Sequence, residues 1–124
     1  MERVRPIRVV LVDDVPAMRL VLRTVLELDG IEVVGEAGDG LEGVELIVEL
    51  RPDVAVLDLS MPGLDGLESI TEIHARAPAT QIVVFSGFAR SQMGDPALER
   101  KAARYVEKGE PLERVRDAVL ELAA

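Results

Sequence analysis

The chain has 124 residues, 48 % of them hydrophobic, and a formal net charge of −9. That length suits one domain with its own core, and the acidity argues against a general nucleic-acid binder, which needs surplus lysine and arginine. Cysteine is absent, which excludes disulfides, thiolate metal sites and a thiol nucleophile and fits a reducing cytosol. No apolar run approaches the roughly 18 residues of a membrane span. The longest N-terminal run is broken by Asp13 and Asp14, which argues against a signal peptide. Phe85, Phe88 and Tyr105 are the only aromatic residues, so the core must be aliphatic.

Ile7 to Val12 (IRVVLV) reads as a buried strand ending in Asp13-Asp14. Met18, Val21, Leu22 and Val25 then recur at helical spacing. Pro16 stands near the first helical position, where its missing N–H costs nothing. Asp29-Gly30 stops this helix, and Ile31 to Ala37 alternates as a second strand. A second helix carries Leu41, Val44, Ile47 and Val48 and ends at Arg51-Pro52. Val54 to Leu57 is a third strand running into Asp58. Asp65, with Glu68 three residues on, resembles a capping box for the third helix. Ile82 to Phe85 forms the fourth strand, and a fourth helix is expected to begin at Asp95-Pro96. A short fifth strand lies around Arg104 to Val106, and Leu112, Val115, Val119 and Leu122 stripe the last helix.

Five strands alternating with five helices predict an α/β fold, a parallel sheet covered on both faces. Ligands of such sheets bind beyond the carboxyl ends of the strands. There the first strand presents Asp13 and Asp14, the third Asp58, the fourth Ser86 and the fifth Lys108. Crowded carboxylates disfavour one another's ionisation unless positive charge lies between them. Magnesium suits such a set, since it takes one or two carboxylates, keeps some waters and completes its shell with phosphate oxygens. The hydroxyl and the ammonium are donors for the other phosphoryl oxygens. A carboxylate beside the metal can itself act as nucleophile and become an acyl phosphate.

The order DD, LDLSMPGLDG, FSG and YVEKG resembles the CheY-like receiver domain of two-component response regulators, and the likeness runs from Ile7 to Leu122. The resemblance implies a flavodoxin-like sheet of order 2-1-3-4-5 and a single receiver domain over residues 1–124, with no output domain in this chain. It implies Asp58 as phosphoacceptor and Mg2+ held by Asp13, Asp14, Asp58 and the Ser60 carbonyl. Ser86 takes the switch-hydroxyl position, Tyr105 that of the rotating aromatic, and Lys108 that of the lysine contacting the phosphoryl group. Ser86 is then expected to swing toward the phosphoryl group, and Tyr105 to turn inward behind it. The implied partners are a sensor histidine kinase or phosphotransfer protein, and a downstream protein or output domain. The latter is met through the face of the fourth helix, fifth strand and fifth helix. A dimer formed on phosphorylation is implied as well, with no direct nucleic-acid contact, no membrane and a cytoplasmic location. The module is not an enzyme beyond catalysing its own phosphorylation and dephosphorylation. GEAGDGLEGVELI and LDLSMPGLDGLE also resemble receivers attached to helix-turn-helix output domains.

Three features depart from the family pattern. Gly109 follows Lys108 where many receivers have a cis proline, which should loosen the approach to the last helix. Lys101 and Arg104 stand where the family often has glycine. FARSQMGDPAL places Gly94 and Pro96 where the fourth helix commonly begins, so a late, short helix after a mobile loop from about Ala89 to Gly94 is expected. Arg90, Arg100, Lys101 and Arg104 make this face locally basic, a charge suited to an acidic partner or simply to a solvated helix.

Other functions are weaker. A haloacid-dehalogenase-type phosphohydrolase would carry a DxD pattern after the first strand and a cap domain. A flavodoxin-like cofactor carrier would need a Ser/Thr-rich phosphate loop and more aromatic residues. A receiver acting without phosphate leaves the acidic set without a role. GEAGDG does not fit GxGxxG and follows an edge strand, so its glycines serve a turn. His74 reads as a helix-surface residue.

Overall fold

The structure, a computed structural model, describes residues 5–61 and 65–124. Pro62, Gly63 and Leu64 of the LDLSMPGLDG stretch lie outside the described residues. The elements follow in strict alternation: β1 (Arg8–Val12), α1 (Pro16–Leu28), β2 (Glu32–Ala37), α2 (Gly40–Leu50), β3 (Val54–Leu57), α3 (Gly66–Arg76), β4 (Gln81–Ser86), α4 (Arg90–Glu99), β5 (Arg104–Glu107) and α5 (Glu113–Ala123). All strand pairs are parallel, in the order β2-β1-β3-β4-β5. No helix among the described residues is long and apolar enough to cross a membrane.

The period-2 geometry of a strand sends successive side chains to opposite faces, and the short aliphatic runs supply apolar groups to both. Val10, Val12, Ala55, Leu57, Ile82 and Val84 meet Ile47 of α2, Ile70 and Ile73 of α3 and Ala97 of α4. Val9, Leu11, Val54, Val56, Val83 and Phe85 meet Leu22 and Leu26 of α1 and Val115 and Val119 of α5. Each such side chain, fully buried, contributes about 1.5–3 kcal/mol of transfer free energy. The sheet is therefore rigid, and its carboxyl ends are fixed points.

Local chemistry starts each helix where the site needs it. Asp39 accepts from the Glu42 N–H at 2.8 Å and caps α2, and Asp65 accepts from the Leu67 N–H at 2.9 Å and caps α3. At Gly66 a Cβ would stand 2.5 Å from the Leu59 Cα, so only glycine lets α3 begin against the chain leaving β3. That close approach seats the segment carrying Asp58.

The fourth helix departs from the sequence expectation. It starts at Arg90, so Ala89 to Gly94 is its N-cap and first half, and Pro96 lies inside it. The first turn closes through Gln92 and Met93 N–H bonds to the Ala89 carbonyl, at 2.9 and 3.1 Å. Proline removes one later bond, yet two anchors outweigh that loss: Ala97 is fully buried, and Arg90 grips β5 and the turn beyond it. Gly94 fits because a Cβ there would crowd the Arg90 side chain at 3.0 Å. Lys101, just past the helix, adopts φ 86°, the left-handed region where glycine is commonest.

Candidate functional site

Asp13 follows β1 and Asp58 follows β3, and these strands are hydrogen-bonded neighbours. The Asp13 N–H donates to the Ala37 carbonyl and the Asp58 N–H to the Val12 carbonyl, so the ladder continues through both acids. Each carboxylate then accepts from the backbone two residues on: Asp13 Oδ1 from the Val15 N–H and Asp58 Oδ1 from the Ser60 N–H, both at 2.9 Å. Such local bonds are the habit of aspartate in turns, and here they fix one oxygen of each acid. The other oxygens, both Oδ2, face Lys108 from beyond β5. Its Nζ lies 2.9 Å from Asp13 and 3.0 Å from Asp58.

The two contacts differ in kind. Lys108 donates a hydrogen bond to Asp58 Oδ2, whereas its approach to Asp13 Oδ2 is an ion pair without hydrogen-bond alignment. Asp13 and Asp58 are 2 % and 3 % exposed, so both carboxylates are withdrawn from bulk solvent. At an effective dielectric of about 20, each ammonium–carboxylate contact is worth about 6 kcal/mol before desolvation, and the repulsion between the acids at least about 3. Lys108 holds the buried pair together, and Asp14 adds an exposed third carboxylate, with ligand oxygens of all three within 4.8 Å. The cluster keeps an excess of negative charge and, among the described residues, one buried oxygen, Asp13 Oδ2, without an aligned hydrogen-bond donor. That donor set fits a hard divalent cation. Burial works against the Lys108 ammonium, but the two carboxylates outweigh it and raise its pKa above the ordinary lysine value.

Ser86 and Tyr105 sit beside this cluster, on the next strands. Ser86 is completely buried at the end of β4; its Oγ accepts from the Phe88 N–H at 3.2 Å, and its carbonyl accepts from the Lys108 N–H at 2.8 Å. Tyr105 is 7 % exposed, and its hydroxyl donates to the Phe88 carbonyl at 2.8 Å. Burial raises the Tyr105 pKa, with the Ser86 hydroxyl working against it. One residue, Phe88, thus meets both Ser86 and Tyr105 through its backbone. In this arrangement Tyr105 is buried while Ser86 Oγ is engaged with the Phe88 N–H.

Comparison with known proteins agrees with this geometry. The family model for the response regulator receiver domain matches residues 9–120. The chain belongs to the response regulator receiver family. Chemotaxis protein CheY of Listeria monocytogenes is 34 % identical over 118 residues, covering 95 % of this chain and 98 % of that protein. Protein-glutamate methylesterase/protein-glutamine glutaminase 5 of Myxococcus xanthus is 47 % identical over 107 residues. Here the match covers 85 % of the receiver but only 31 % of the relative's length. The receiver domain of NarL from Mycobacterium tuberculosis superposes with a TM-score of 0.90 at 35 % identity, covering 96 % of this chain and 97 % of that one.

The receiver also contains polar groups that the sequence reading did not single out. Arg19, on α1, donates to the Asp13 carbonyl at 2.6 Å and to Glu36 at 3.0 Å. Arg23 grips the other Glu36 oxygen with two donors, at 2.8 and 2.6 Å. Burial pushes the Glu36 pKa upward, but the two guanidinium groups more than reverse this and leave it lowered. The available signal was an arginine pair four residues apart on the helix that begins at the acid pair.

Arg90 belongs to the locally basic face, suited to an acidic partner or to a solvated helix, and its half-exposed side chain is engaged within the chain. It donates to the Tyr105 carbonyl at 3.1 Å and to Glu110 at 2.7 Å, and lies 3.6 Å from Glu107. Arg100 donates to Thr71, and Arg104 lies 3.9 Å from Glu121. The turn after Lys108, expected to be loose, is closed by Glu110, whose carboxylate accepts from the Glu107 N–H at 2.7 Å. His74 is exposed on α3, as read from sequence.

Proposed function

We propose that this receiver accepts a phosphoryl group from a sensor histidine kinase or phosphotransfer protein onto Asp58, in a Mg2+-dependent reaction. The observation that supports the reading is the buried Asp13 Oδ2, which has no aligned hydrogen-bond donor among the described residues, set beside Asp58 and under one ammonium. Asp13, Asp14, Asp58 and the Ser60 carbonyl would hold the cation, which supplies charge neutralisation for the incoming phosphoryl oxygens. Asp58 Oδ2 forms the new bond to phosphorus as the donor's P–N bond breaks, and the electron pair leaves with the imidazole. The Ser60 N–H keeps Asp58 Oδ1 in place, so the carboxylate cannot rotate away. Lys108 already donates to the reacting oxygen's side of Asp58, and a short movement takes its ammonium to a phosphoryl oxygen. Phosphoryl transfer asks a protein mainly for positioning and charge stabilisation.

Signalling then follows from competition for Ser86. A phosphoryl oxygen on Asp58 is a stronger acceptor for the Ser86 hydroxyl than any group it now meets. Turning toward it releases the Phe88 N–H, whose peptide also holds Tyr105. The α4-β5-α5 surface changes for a downstream protein or output domain, biased only by the differential interaction of phosphate with the two arrangements.

Intact-mass spectrometry with magnesium and a small acyl-phosphate donor tests this. One phosphoryl adduct is expected, lost in Asp58→Asn and lost without magnesium. No adduct, under conditions that label another receiver, would overturn the reading.

A further inference from the structure

We infer that Arg19 is a positioning residue for the cation site: it fixes the peptide that joins Asp13 to Asp14, and Glu36 holds it to that task. The inference rests on the proposed Mg2+ site and names residues outside the acidic set. Besides its ion pair with Lys108, Asp13 is clamped at three points. Its N–H donates to the Ala37 carbonyl at 3.0 Å, and its Oδ1 accepts from the Val15 N–H at 2.9 Å. Its carbonyl accepts from Arg19 Nη1 at 2.6 Å, the shortest of the three. That carbonyl belongs to the Asp13–Asp14 peptide, so its direction sets where the exposed Asp14 carboxylate leaves the chain. Without the arginine this peptide retains no donor at its oxygen among the described residues, and rotation about it carries Asp14 away from Asp13 and Asp58.

Arg19 is itself prevented from turning. Its Nε donates to Glu36 Oε1 at 3.0 Å, while Arg23 occupies Glu36 Oε2. Glu36 adjoins Ala37 on β2, so the same strand end clamps the Asp13 N–H directly and its carbonyl through Arg19. The side chains of Arg19 and Glu36 are only 20 % and 27 % exposed, which limits solvent competition. A guanidinium fork suits this use because one nitrogen can take an anchor while another is aimed.

Charge and positioning predict opposite signs. A cation near a divalent-metal site repels the metal, so if Arg19 acted through charge alone, Arg19→Met would tighten Mg2+ binding. If it positions the Asp13–Asp14 peptide, Arg19→Met weakens binding, by about tenfold or more, the usual loss when a partner behind the ligands is removed. Arg19→Lys keeps the charge and loses the fork, and is expected to weaken binding nearly as much. Glu36→Gln leaves Arg19 in place but less anchored and is expected to fall between these and wild type.

The experiment is calorimetric titration of the wild-type chain and the three variants with MgCl2, beside thermal melts without metal. Weakened Mg2+ binding in both Arg19 variants, out of proportion to any change in melting temperature, supports the inference. Unchanged or tighter binding in Arg19→Met overturns it, whatever the melting temperature does. Should Arg19→Met fail to fold, Glu36→Gln decides: unchanged Mg2+ affinity overturns the inference. Absence of Mg2+ binding by the wild-type chain itself would instead remove the proposed cation site.

Discussion

The two halves of the crevice are fastened by different means. On the β1–β3 side, the acids are placed by the strand ladder and by bonds to backbone two residues away. On the β4–β5 side, Ser86 and Lys108 have backbone bonds of the same kind, and further fastening runs through long side chains: Arg90 to Tyr105, Glu107 and Glu110, and Tyr105 to Phe88. Backbone-fixed groups move only if the strands move, and those strands lie in a buried aliphatic core. Side-chain contacts at half-exposed positions are worth about 0–1 kcal/mol each and exchange readily. Under the proposed function, catalytic positioning uses the first kind of support and a reversible signal the second. Lys108 is the bridge, emerging from the second half to hold the acids of the first.

The largest effect should come from cutting that bridge. Lys108→Met leaves two buried carboxylates without their cation, and we expect a loss of about 3 kcal/mol of metal-free stability, by urea denaturation. Magnesium should restore much of it, since the metal takes over the missing charge. The pH dependence has a definite sign. The folded-state pKa of Lys108 is raised, so its contribution is complete at neutral pH and is lost as pH rises through that raised value. The wild-type advantage over Lys108→Met should therefore stay level up to about pH 10, just below the ordinary lysine pKa, and shrink above it. A magnesium-independent deficit would mean that the lysine supports packing, not the acidic pair.

A smaller effect is expected from Arg90→Ala, which tests whether the halves are mechanically separate. Its ion pairs are half exposed, so about 1 kcal/mol of stability is at stake. Amide exchange should quicken at Gln92 and Met93 in the first turn of α4, while the Ser60 amide bound to Asp58 stays protected. Labelling of Asp58 by a small donor should change less than twofold. Equal loss of protection at Ser60 would sink the comparison, because the two supports would then be one.

The same division explains what could be read in the sequence. Strand runs, the Asp65 cap and the acids at strand ends are local patterns, and these came through with boundaries shifted by a residue or so. Of the expected helix stripes, however, Val21 and Leu41 are exposed, and Leu26, outside them, is fully buried. Asp13, Asp14, Asp58 and Lys108 converge because parallel strands end at one level, which the alternation of elements implies, and because the strands stand in the order that the family resemblance supplied. The start of α4 was misplaced because Gly94 and Pro96 weaken a helix locally, whereas the groups that hold it, Tyr105, Glu107 and Glu110, are distant in sequence. Arg19 and Glu36 escaped for the same reason. An arginine on a helix face looks solvated until the strand beside it is known.

The smallest effect concerns Lys101, and it asks whether the signalling half carries backbone strain as well as loose side-chain contacts. At φ 86° a residue with a Cβ is disfavoured by roughly 1–2 kcal/mol relative to the right-handed region. Glycine removes that cost, but it also gives the unfolded chain more freedom, worth about 0.4–1 kcal/mol against folding. Lys101 is exposed, so no packing is lost with its side chain. The balance favours Lys101→Gly by up to about 1 kcal/mol, read as a rise in melting temperature of a few degrees. Because Lys101 N–H bonds to the Leu98 carbonyl at the exit of α4, relief there should also steady the last turn of that helix against amide exchange. A fall in stability would instead mean that the lysine side chain makes a favourable contact large enough to outweigh its own backbone, and the strain would then be no part of how this face is built.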